Sequence, residues 1–313
     1  MSPELSIIIP TFRRQDSLRT LLQAMTAQTG VTMEIIVVDQ NPAGFLDELL
    51  PAFPAVKRLV LPVPNVSDAR NKGFLVSTAP VILFIDDDLI PEPDFCEKGL
   101  GVLRKHSTIN CFAPLVYNVE GRELALKHAD STRVEALPDD PAIFVITETI
   151  SAALFFRREY FARSGGFDPL LFELARTAED QELFFRMRQR GQRLWFVPMV
   201  AVFHDESVPG GCDLRTQDYW LFREKCMKSW AYRKMIHHSP PGVLSPADRI
   251  SLARSAFLNR EVLGSGLKVV FRQARLLRRS IRASKEYLRE RLSYYTAVKD
   301  MDHLAAPGQV AKQ

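Results

Sequence analysis

The chain has 313 residues, of which 46% are hydrophobic and 25% are charged, and this composition excludes disordered and collagen-like proteins. A net charge of +4 hides an asymmetry, because residues 211–313 carry 20 Lys and Arg against 9 Asp and Glu, whereas acids outnumber bases before them. The sequence therefore predicts an acidic part suited to metal ions and a basic part suited to an anionic partner, either a membrane surface or nucleic acid.

Membrane-spanning and secreted proteins are not indicated. No stretch approaches the roughly 18 consecutive apolar residues of a spanning helix, and the opening segment lacks the basic region and cleavage site of a secretory signal. We therefore expect a cytoplasmic protein. Its four cysteines form no C-x-x-C pair, which predicts reduced thiols and argues against a cysteine-based zinc site: Cys96, Cys111, Cys212 and Cys226.

Short apolar runs alternate with helical periodicity in the first hundred residues. Strands are predicted at 5–9, 34–38, 58–61 and 81–85, and helices at 16–27, capped by Asp16, and 68–77. This order predicts an α/β fold with a parallel sheet covered on both faces. Ligands of such sheets gather beyond the carboxyl ends of the strands, where the chain has Pro10, Thr11, Phe12, Asp39 and Asp86–Asp88.

The rest of the chain divides into a mixed and a helical part. Strands are predicted at 111–116 and 150–156, a helix at 178–190 that Gly191 closes, and strand segments at 194–198 and 200–203 that lead to His204. Beyond about residue 210 the pattern is helical, with a break near 239–242. We predict a catalytic domain at 1–210 and a basic helical region at 211–313.

Three consecutive aspartates follow the strand at 81–85. Because side chains alternate along a strand, Asp86 and Asp88 are expected on one side and Asp87 on the other. Like charges this close need a cation between them, and hard oxygen ligands suit Mg²⁺ or Mn²⁺, which commonly bind one or two carboxylates plus substrate phosphates. The alternative is an acidic surface turn.

Seven segments, in this order and spacing, make the chain resemble a family-2 glycosyltransferase of the GT-A fold. They are LSIIIPTF at 5–12, IIVVD at 35–39, NVSDARNKG at 65–73, FIDDD at 84–88, GGFD at 165–168, AEDQELFFRMR at 178–188 and FH at 203–204. The resemblance implies a Rossmann-related, mostly parallel sheet with helices on both faces and a C-terminal helical region. It also implies a nucleotide-sugar donor and an inverting transfer.

The resemblance assigns the donor side of the site. Asp39 matches the aspartate that contacts the nucleotide base, although Gln40, Asn41 and Pro42 depart from the family pattern and leave the base open. The triplet matches the acids that hold the ribose and, through Mn²⁺ or Mg²⁺, the diphosphate. We therefore expect nucleotide-sugar contacts from Pro10, Thr11, Asp39, Arg70, Asp86 and Asp87, and metal ligands in Asp88, Asp86 and His204. The alternatives are a helix-surface salt bridge for Arg70 and a hydrogen-bonded structural role for His204.

The acceptor side is expected near a Glu-Asp pair that begins a helix. The resemblance makes Asp180 the general base that deprotonates the acceptor hydroxyl, with Glu179 as its neighbour and Gly165 and Gly166 allowing close backbone approach. Residues 117–146 are expected to shape this side. Without the resemblance, the pair would be read as capping a helix N-terminus.

A basic amphipathic helix is predicted from Leu263 onward. One stripe carries Leu263, Leu267, Val270, Ala274, Leu277, Ile281 and Leu288, and the opposite one carries Lys268, Arg272, Arg275, Arg279, Arg282 and Arg289. The pattern fits peripheral attachment to an anionic membrane, at the inner face of the cell membrane, where a lipid-linked acceptor is found. The alternative is a packed helix with a solvated basic face. Nucleic acid is not expected, because aromatic residues are sparse here.

Two other functions compete with the transfer of a sugar to a glycan or lipid-linked acceptor. A sugar-phosphate nucleotidyltransferase shares the α/β layout and metal chemistry, but its glycine-rich phosphate loop is missing after the first strand, where the chain reads PTFRR. A catalytically inactive, transferase-like membrane scaffold would need only the basic tail. Intact Asp86, Asp88 and Asp180 argue against the scaffold.

Overall fold

The structure is a computed structural model that describes residues 2–124, 126, 134–205, 210–211, 218–236, 244–258, 262 and 266–299, with side chains up to residue 289. These residues form two compact units. The first comprises Met1–Phe167 and Asp180–Cys212, and the second comprises Asp168–Glu179 and Asp213–Asp300, each within the described ranges. Cys96, Cys111 and Cys226 are free thiols, as expected, and Cys212 lies outside the described residues.

All the strands of the described ranges lie in the first unit. They are β1 Leu5–Thr11, β2 Met33–Asp39, β3 Val56–Val60, β4 Val81–Ile85, β5 Leu89–Pro91, β6 Cys111–Tyr117, β7 Glu135–Leu137, β8 Asp140–Ile146, β9 Ala153–Arg157 and β10 Leu194–His204.

The helices are divided between the two units. They are α1 Gln15–Thr26, α2 Val66–Val76, α3 Phe95–Lys105, α4 Arg158–Ser164, α5 Pro169–Ala175, α6 Glu179–Gln189, α7 Tyr219–Ile236, α8 Pro246–Phe257 and α9 Leu267–Lys299, and a short 3₁₀ turn spans Leu50–Ala52. Among the described helices, none combines the length and the apolarity needed to cross a bilayer.

The ten strands form one mixed sheet in the order β3-β2-β1-β4-β9-β6-β10-β8-β7, with β5 paired to β10. Its first four strands run parallel, and β1 pairs with β2 without a slip from Leu5 and Met33 to Thr11 and Asp39. The antiparallel β9 joins this half to the rest by pairing with β4 and β6. The α/β fold with a mostly parallel core is thus confirmed.

Helices cover both faces of the sheet. On one face α2 approaches β1 so closely that a Cβ atom at Gly73 would lie 2.4 Å from Ile8 Cγ2. On the other face α3 packs on β9, where a Cβ at Gly99 would lie 2.4 Å from the Phe155 ring. This double cover explains why every residue of β1 and β4 is buried, since a strand between two helical layers has no solvent face.

The predicted elements of the first unit differ from the structure at a few positions. Asp16 lies in the first turn of α1 and does not cap it; Arg14 holds the cap position, and its side chain makes no capping bond. The two strand segments before His204 are one strand, β10, whose register against β6 shifts between Val197 and Ala201. The helices α3, α4 and α5 and the strands β5, β7 and β8 were not predicted individually. Most are short, but α3 has 11 residues with buried positions at helical spacing, so its period was present in the sequence and was missed.

The second unit is a helical assembly with its own core. Residues of α5, α7, α8 and α9 form an apolar cluster around Leu171, Tyr232 and Leu288. The buried face of α9 carries Gln273, Leu276, Ser280, Ser284 and Leu288.

The predicted apolar stripe of the tail is therefore wrong in part. Leu267 is 75% exposed and Ala274 is exposed, while Leu263 lies outside the described residues. Small polar residues replace apolar ones on the packed face of α9 because the helix runs close to α7, where Ser284 Oγ donates to the Lys228 carbonyl at 3.2 Å. The six basic residues of the opposite stripe are all exposed.

Candidate active site

Polar side chains from three neighbouring strands meet at the carboxyl edge of the sheet. Thr11 ends β1, Asp39 ends β2, and the acidic triplet follows β4. Thr11 Oγ1 donates to Asp87 Oδ2 at 2.7 Å, and Pro10 lies one position earlier in β1, paired with Val38. Because the carboxyl ends of parallel strands share one edge, the apolar runs of the sequence correctly indicated where these residues lie.

The triplet does not alternate as predicted. β4 ends at Ile85, and Asp87 and Asp88 lie in a turn, so the two share a single cation: Arg14 Nη1 lies 2.9 Å from Asp87 Oδ1 and 2.7 Å from Asp88 Oδ2. Asp86 contacts a different arginine. The expectation that Asp87 lies apart from Asp88 is therefore wrong, because the strand ends before the triplet, whereas Asp86 remains close enough to Asp88 for the two charges to interact.

Asp86 is held by Arg70 from the buried face of α2. Arg70 Nη2 lies 2.7 Å from Asp86 Oδ1, and its guanidinium also donates to Ser151 Oγ at 2.8 Å and to the Ser151 carbonyl. The same group stacks over the Phe167 ring at 4.9 Å. Arg70 is 1% exposed, which excludes the helix-surface salt bridge and makes it a buried cation of the acidic edge.

Among the residues that the structure describes, the three carboxylates of the triplet contact two guanidinium groups. Burial, joined by the nearby charge of Asp88, raises the pKa of Asp87 to about 7 against the attraction of Arg14. Burial and Asp88 also raise the pKa of Asp86, against the opposing effect of Arg70. For Arg14, burial lowers the pKa, but the charges of Asp87 and Asp88 outweigh it and the net shift is upward. A raised pKa means that the charged form of these carboxyl groups is disfavoured, so a cation bound beside them would stabilise their charged form.

His204 lies beside the same edge. Its Nε2 is 3.3 Å from Asp88 Oδ2, and the strand end is fixed by a bond from the Asp205 amide to the Asp88 carbonyl at 3.0 Å. A carboxylate and an imidazole are suitable donors for Mn²⁺, and a diphosphate would supply further oxygens. Within the part of the chain that the structure describes, no three Asp, Glu, His or Cys side chains converge on one point. Asp88 and His204 are thus two donors of the types that Mn²⁺ takes.

Asp39 is buried, and protein groups already contact both of its oxygens. Arg58 Nε and Nη2 donate to Oδ2 at 2.9 and 2.7 Å, while the backbone and side-chain nitrogens of Asn41 donate to Oδ1 at 2.9 and 2.8 Å. Arg58 Nη1 also donates to Asp47 Oδ1 at 2.6 Å. The departure at Gln40-Asn41-Pro42 thus has a local role, because Asn41 fixes the carboxylate that the base would meet.

Gly165 and Gly166 lie in a turn that links α2 to α6. Gly166 has a φ of +70°, and a Cβ there would lie 2.7 Å from Asn71 Oδ1. Asn71 accepts from the Phe167 amide at 2.9 Å and donates to its carbonyl at 2.8 Å. A side chain at residue 166 would break this connection, so Gly166 allows a close approach to Asn71, while its predicted place beside the acceptor stays a prediction.

Arg186 fixes α6 against the same turn. It donates to the carbonyls of Ser164 and Gly166 and forms a two-point ion pair with Glu182, at 2.9 and 2.7 Å. Asp180 lies in the first turn of α6, half-buried, and Oδ1 accepts from the Gln181 amide at 2.7 Å. Glu179 is the first residue of the helix. The turn at 164–167 therefore connects the helix of Asp180 to the helix of Arg70.

Several residues of this site escaped the sequence analysis. Arg14, Arg58, Asn71 and Arg186 all contact residues of other elements or distant turns, and their types alone are those of ordinary surface positions. The only local signal was the Arg-Arg pair directly after the first strand.

Comparison with known proteins agrees with this architecture. A family model described as Glycosyl transferase family 2 matches residues 6–165, which is more than half of the chain. One relative, named "Uncharacterized glycosyltransferase" from Haemophilus influenzae, is 26% identical over 194 residues, which is 59% of this chain and 62% of the relative. The chain thus spans less than two thirds of the length of that relative.

Solved structures show the same fold. S. aureus TarS 1–349 in complex with UDP-GlcNAc is similar with a TM-score of 0.59 and 18% identity, covering 97% of this chain and 90% of that one. The mannosyltransferase PcManGT from Pyrobaculum calidifontis, in complex with GDP-Man and Mn²⁺, gives a TM-score of 0.51 and 16% identity, covering 97% of this chain and 85% of that one.

Proposed function

The chain belongs to glycosyl transferase family 2, and from this we propose that it transfers a sugar, with inversion, from a nucleotide-sugar donor to a hydroxyl of a glycan or lipid-linked acceptor. The observation that carries the proposal is the acidic edge of half-buried Asp86 and buried Asp87 and Asp88, where three carboxylates meet two guanidinium groups in the described part of the chain. Relatives of this fold bind UDP-GlcNAc or GDP-Man, and a nucleotide diphosphate with a divalent metal would complete such an edge.

Each donor residue has a role that follows from its position. Asp39, at the end of β2, faces the base, and Arg58 and Asn41 hold its carboxylate in one orientation. Asp86 and Asp87 contact the ribose side, with Thr11 and Pro10 at the end of β1 beneath them. Arg70 holds Asp86 and steadies the nucleotide.

Asp88 and His204 would hold the metal, and oxygens of the diphosphate would complete its ligands; Asp86, which was also predicted as a ligand, is paired with Arg70 instead. Bound there, Mn²⁺ or Mg²⁺ neutralises the charge that develops on the leaving diphosphate. The adjacency of Asp88 Oδ2 and His204 Nε2 at 3.3 Å supports this pair as the ligands.

Asp180 acts as the general base. Its carboxylate takes the proton of the acceptor hydroxyl while the hydroxyl oxygen bonds to the anomeric carbon and the bond to the diphosphate breaks on the opposite face. A hydroxyl is a poor nucleophile, so one positioned base is the minimum that this displacement needs. Arg186 positions the base through α6, and Glu179, Gly165 and Gly166 border the acceptor.

The test is a metal-dependent assay with a panel of UDP-, GDP- and dTDP-sugars. We expect one donor to raise the melting temperature in the presence of Mn²⁺ and to be slowly hydrolysed, because a ligand that binds only the folded state stabilises it. A requirement for a nucleoside triphosphate would identify a nucleotidyltransferase instead. Absence of both binding and hydrolysis would identify an inactive scaffold.

We also propose peripheral attachment of the second unit to an anionic membrane. Five exposed apolar residues, here called the end patch, lie at the start of α7, after α8 and at the start of α9: Leu221, Phe222, Leu258, Leu267 and Phe271. These ends are adjacent, because Arg223 Nη2 and Gln273 Nε2 both donate to the Ala256 carbonyl and Arg272 stacks over Trp220 at 4.1 Å. Exposed apolar residues beside a row of arginines fit an anionic lipid surface.

Vesicle sedimentation tests this attachment. The wild type should sediment with phosphatidylglycerol vesicles at low salt and less so as salt rises, because the attraction decays over a Debye length of about 8–10 Å. Replacing Arg272, Arg275, Arg279 and Arg282 by Gln should abolish sedimentation, and Phe271→Ser should weaken it. Val119→Ser, which changes an 84% exposed apolar residue of the first unit, is the control. Equal sedimentation of wild type and the Gln variant would leave the basic stripe a solvated face.

A further inference from the structure

The Arg14 guanidinium lies at the position where Asp88 and His204 would bind a divalent metal ion. Its Nη1 is 2.7 Å from Asp88 Oδ2, the same oxygen that lies 3.3 Å from His204 Nε2. It also reaches Asp87 Oδ1 at 2.9 Å. The guanidinium of Arg14 therefore contacts the same Asp88 oxygen that would coordinate a metal ion together with His204.

This position is built into the fold of the first unit. Arg14 lies three residues beyond the end of β1, at the N-cap of α1, where its side chain makes no capping bond and is 9% exposed. The preceding Arg13 has a φ of +58°, an uncommon conformation for a residue with a side chain, and its amide donates to Asn41 Oδ1 at 2.6 Å. The turn after β1 is thereby held so that Arg14 points at the triplet.

A second segment covers the guanidinium from outside. The Gly211 amide donates to the Phe12 carbonyl at 3.0 Å, and Arg14 Nη2 donates to the Gly210 carbonyl at 3.3 Å. A Cβ at Gly210 would lie 2.8 Å from the Arg13 carbonyl oxygen, and one at Gly211 would lie 3.1 Å from Arg14 Cζ. Because the backbone of residues 210–211 lies this close to Arg13 and Arg14, both positions require glycine. The same backbone keeps the Arg14 side chain against Asp87 and Asp88.

We infer that Arg14 takes the place of the divalent cation while no donor is bound, and that it makes metal binding conditional on the nucleotide diphosphate. A guanidinium and a dication repel each other at one carboxylate oxygen, so the metal alone competes with Arg14 for Asp88. A diphosphate changes the balance, because its oxygens are a better two-point partner for the guanidinium and bring the negative charge that both cations need. Arg14 is then a positioning residue for the diphosphate. The inference rests on the metal site of the proposed function.

The test measures Mn²⁺ binding without any turnover. Free Mn²⁺ is followed by electron paramagnetic resonance while wild type, Arg14→Met and Arg13→Met are titrated with Mn²⁺ alone. Arg13 is exposed and contacts none of the acids in the described structure, so Arg13→Met removes the same charge one residue away. We expect Arg14→Met to bind Mn²⁺ at least tenfold tighter than the wild type, and Arg13→Met to bind like the wild type. Equal affinity of Arg14→Met and wild type would overturn the inference.

A second arm adds the nucleoside diphosphate, among UDP, GDP and dTDP, that most raises the melting temperature of the wild type. It should tighten Mn²⁺ binding to the wild type at least tenfold, and this gain should shrink to about twofold or less in Arg14→Met. An unchanged gain would contradict the exchange of partners. If no nucleotide stabilises the wild type, the proposed donor site fails, whereas the titration with Mn²⁺ alone still decides the role of Arg14. Should Arg14→Met not fold, Arg14→Met/Asp87→Asn replaces it, because one buried charge fewer is then left without a partner.

Discussion

One buried acid, Glu34, and the acidic triplet 86–88 lie at opposite ends of the parallel strands and differ in their surroundings. At the amino ends, the Glu34 carboxylate accepts from Ser6 Oγ and the Thr78 amide, both at 2.6 Å, from Thr78 Oγ1 at 2.8 Å and from Lys57 Nζ at 2.7 Å. Burial raises its pKa, but these donors outweigh burial and lower it to about 2.

At the carboxyl ends, the three acids of the triplet share two arginines, and the pKa values of Asp86 and Asp87 are raised. Glu34 accepts four hydrogen bonds from protein groups, and these stabilise the fold. In the described structure the three acids of the triplet contact only two arginines, so a further positive group would stabilise them. Because Glu34, Asp87 and Asp88 are all buried, burial does not distinguish them. The number of hydrogen-bond donors around each carboxylate distinguishes the structural acid from the acids proposed to bind a ligand.

The largest effect is expected from Asp88→Asn. Removing the carboxylate takes away a metal ligand, so metal-dependent donor binding should be lost and turnover should fall by at least about 10³. Because the exchange relieves surplus negative charge, we expect the free energy of unfolding to fall by no more than about 1 kcal/mol. Calorimetric titration of the donor with Mn²⁺ and urea unfolding measure the two quantities. Normal donor affinity would break the comparison, because Asp88 would then be structural like Glu34.

Asp180→Asn should separate turnover from donor binding. We expect turnover to fall by about 10² or more, within the range of roughly 10²–10⁴ for a lost general base, while the donor binds as before. Initial rates at saturating donor and a titration of the donor measure this. Asp16→Asn, the same exchange at an exposed acid in the first turn of α1, is the control and should behave as the wild type. Normal turnover would assign the base to another residue.

Glu34→Gln should give the reverse pattern of Asp88→Asn. The amide oxygen can still accept from Ser6 and Thr78, but the NH₂ group then faces Lys57 Nζ and the charge that Lys57 meets is lost, so the free energy of unfolding should fall by about 1–3 kcal/mol. Donor affinity, measured on the folded variant, should not change. A stable variant with weakened donor binding would contradict the division between the two ends of the sheet.

The smallest effect concerns pH. The pKa of Glu34 is lowered from 4.5 to about 2, so its contribution to stability is complete above about pH 4.5 and is lost as pH falls toward 2. After allowance for the exposed Lys57 partner, the difference in unfolding free energy between wild type and Glu34→Gln should shrink by about 1–2 kcal/mol from pH 6 to pH 3. Urea unfolding at both pH values measures it. A difference that grows toward acid would contradict the sign.

The sequence predicted where the acidic edge of the sheet lies, but not which side chains contact the acids there. Apolar runs of the right length predicted β1, β2 and β4, and the residues after them lie together because parallel strands share an edge. The pairing within the triplet depends on whether the strand ends at Ile85 or later, and no local pattern fixes a strand end to one residue. Partners such as Arg14 and Asp87 are 73 residues apart, so their meeting follows from the tertiary structure alone.

The tail shows the complementary failure. Its basic stripe was predicted well, because exposed charges at helical spacing need no partner to be recognised. Its packed face was not, because Gln273, Ser280 and Ser284 are buried by close contact with a neighbouring helix and carry no apolar signal. Hydrophobic periodicity finds a helix, but it finds the packed face only when that face is apolar.

The position of β9 between β4 and β6 has a consequence for synthesis of the protein. β4 is wholly apolar, and its free edge pairs only with β9, whose first residue is translated about 68 residues later, or roughly 3–14 seconds at ordinary elongation rates. During that interval the nascent chain presents an open hydrophobic strand that other chains can add to. The acidic triplet follows this strand directly, so this interval coincides with an unfinished edge at the proposed donor site. Slower elongation across residues 86–153 should lower the soluble yield.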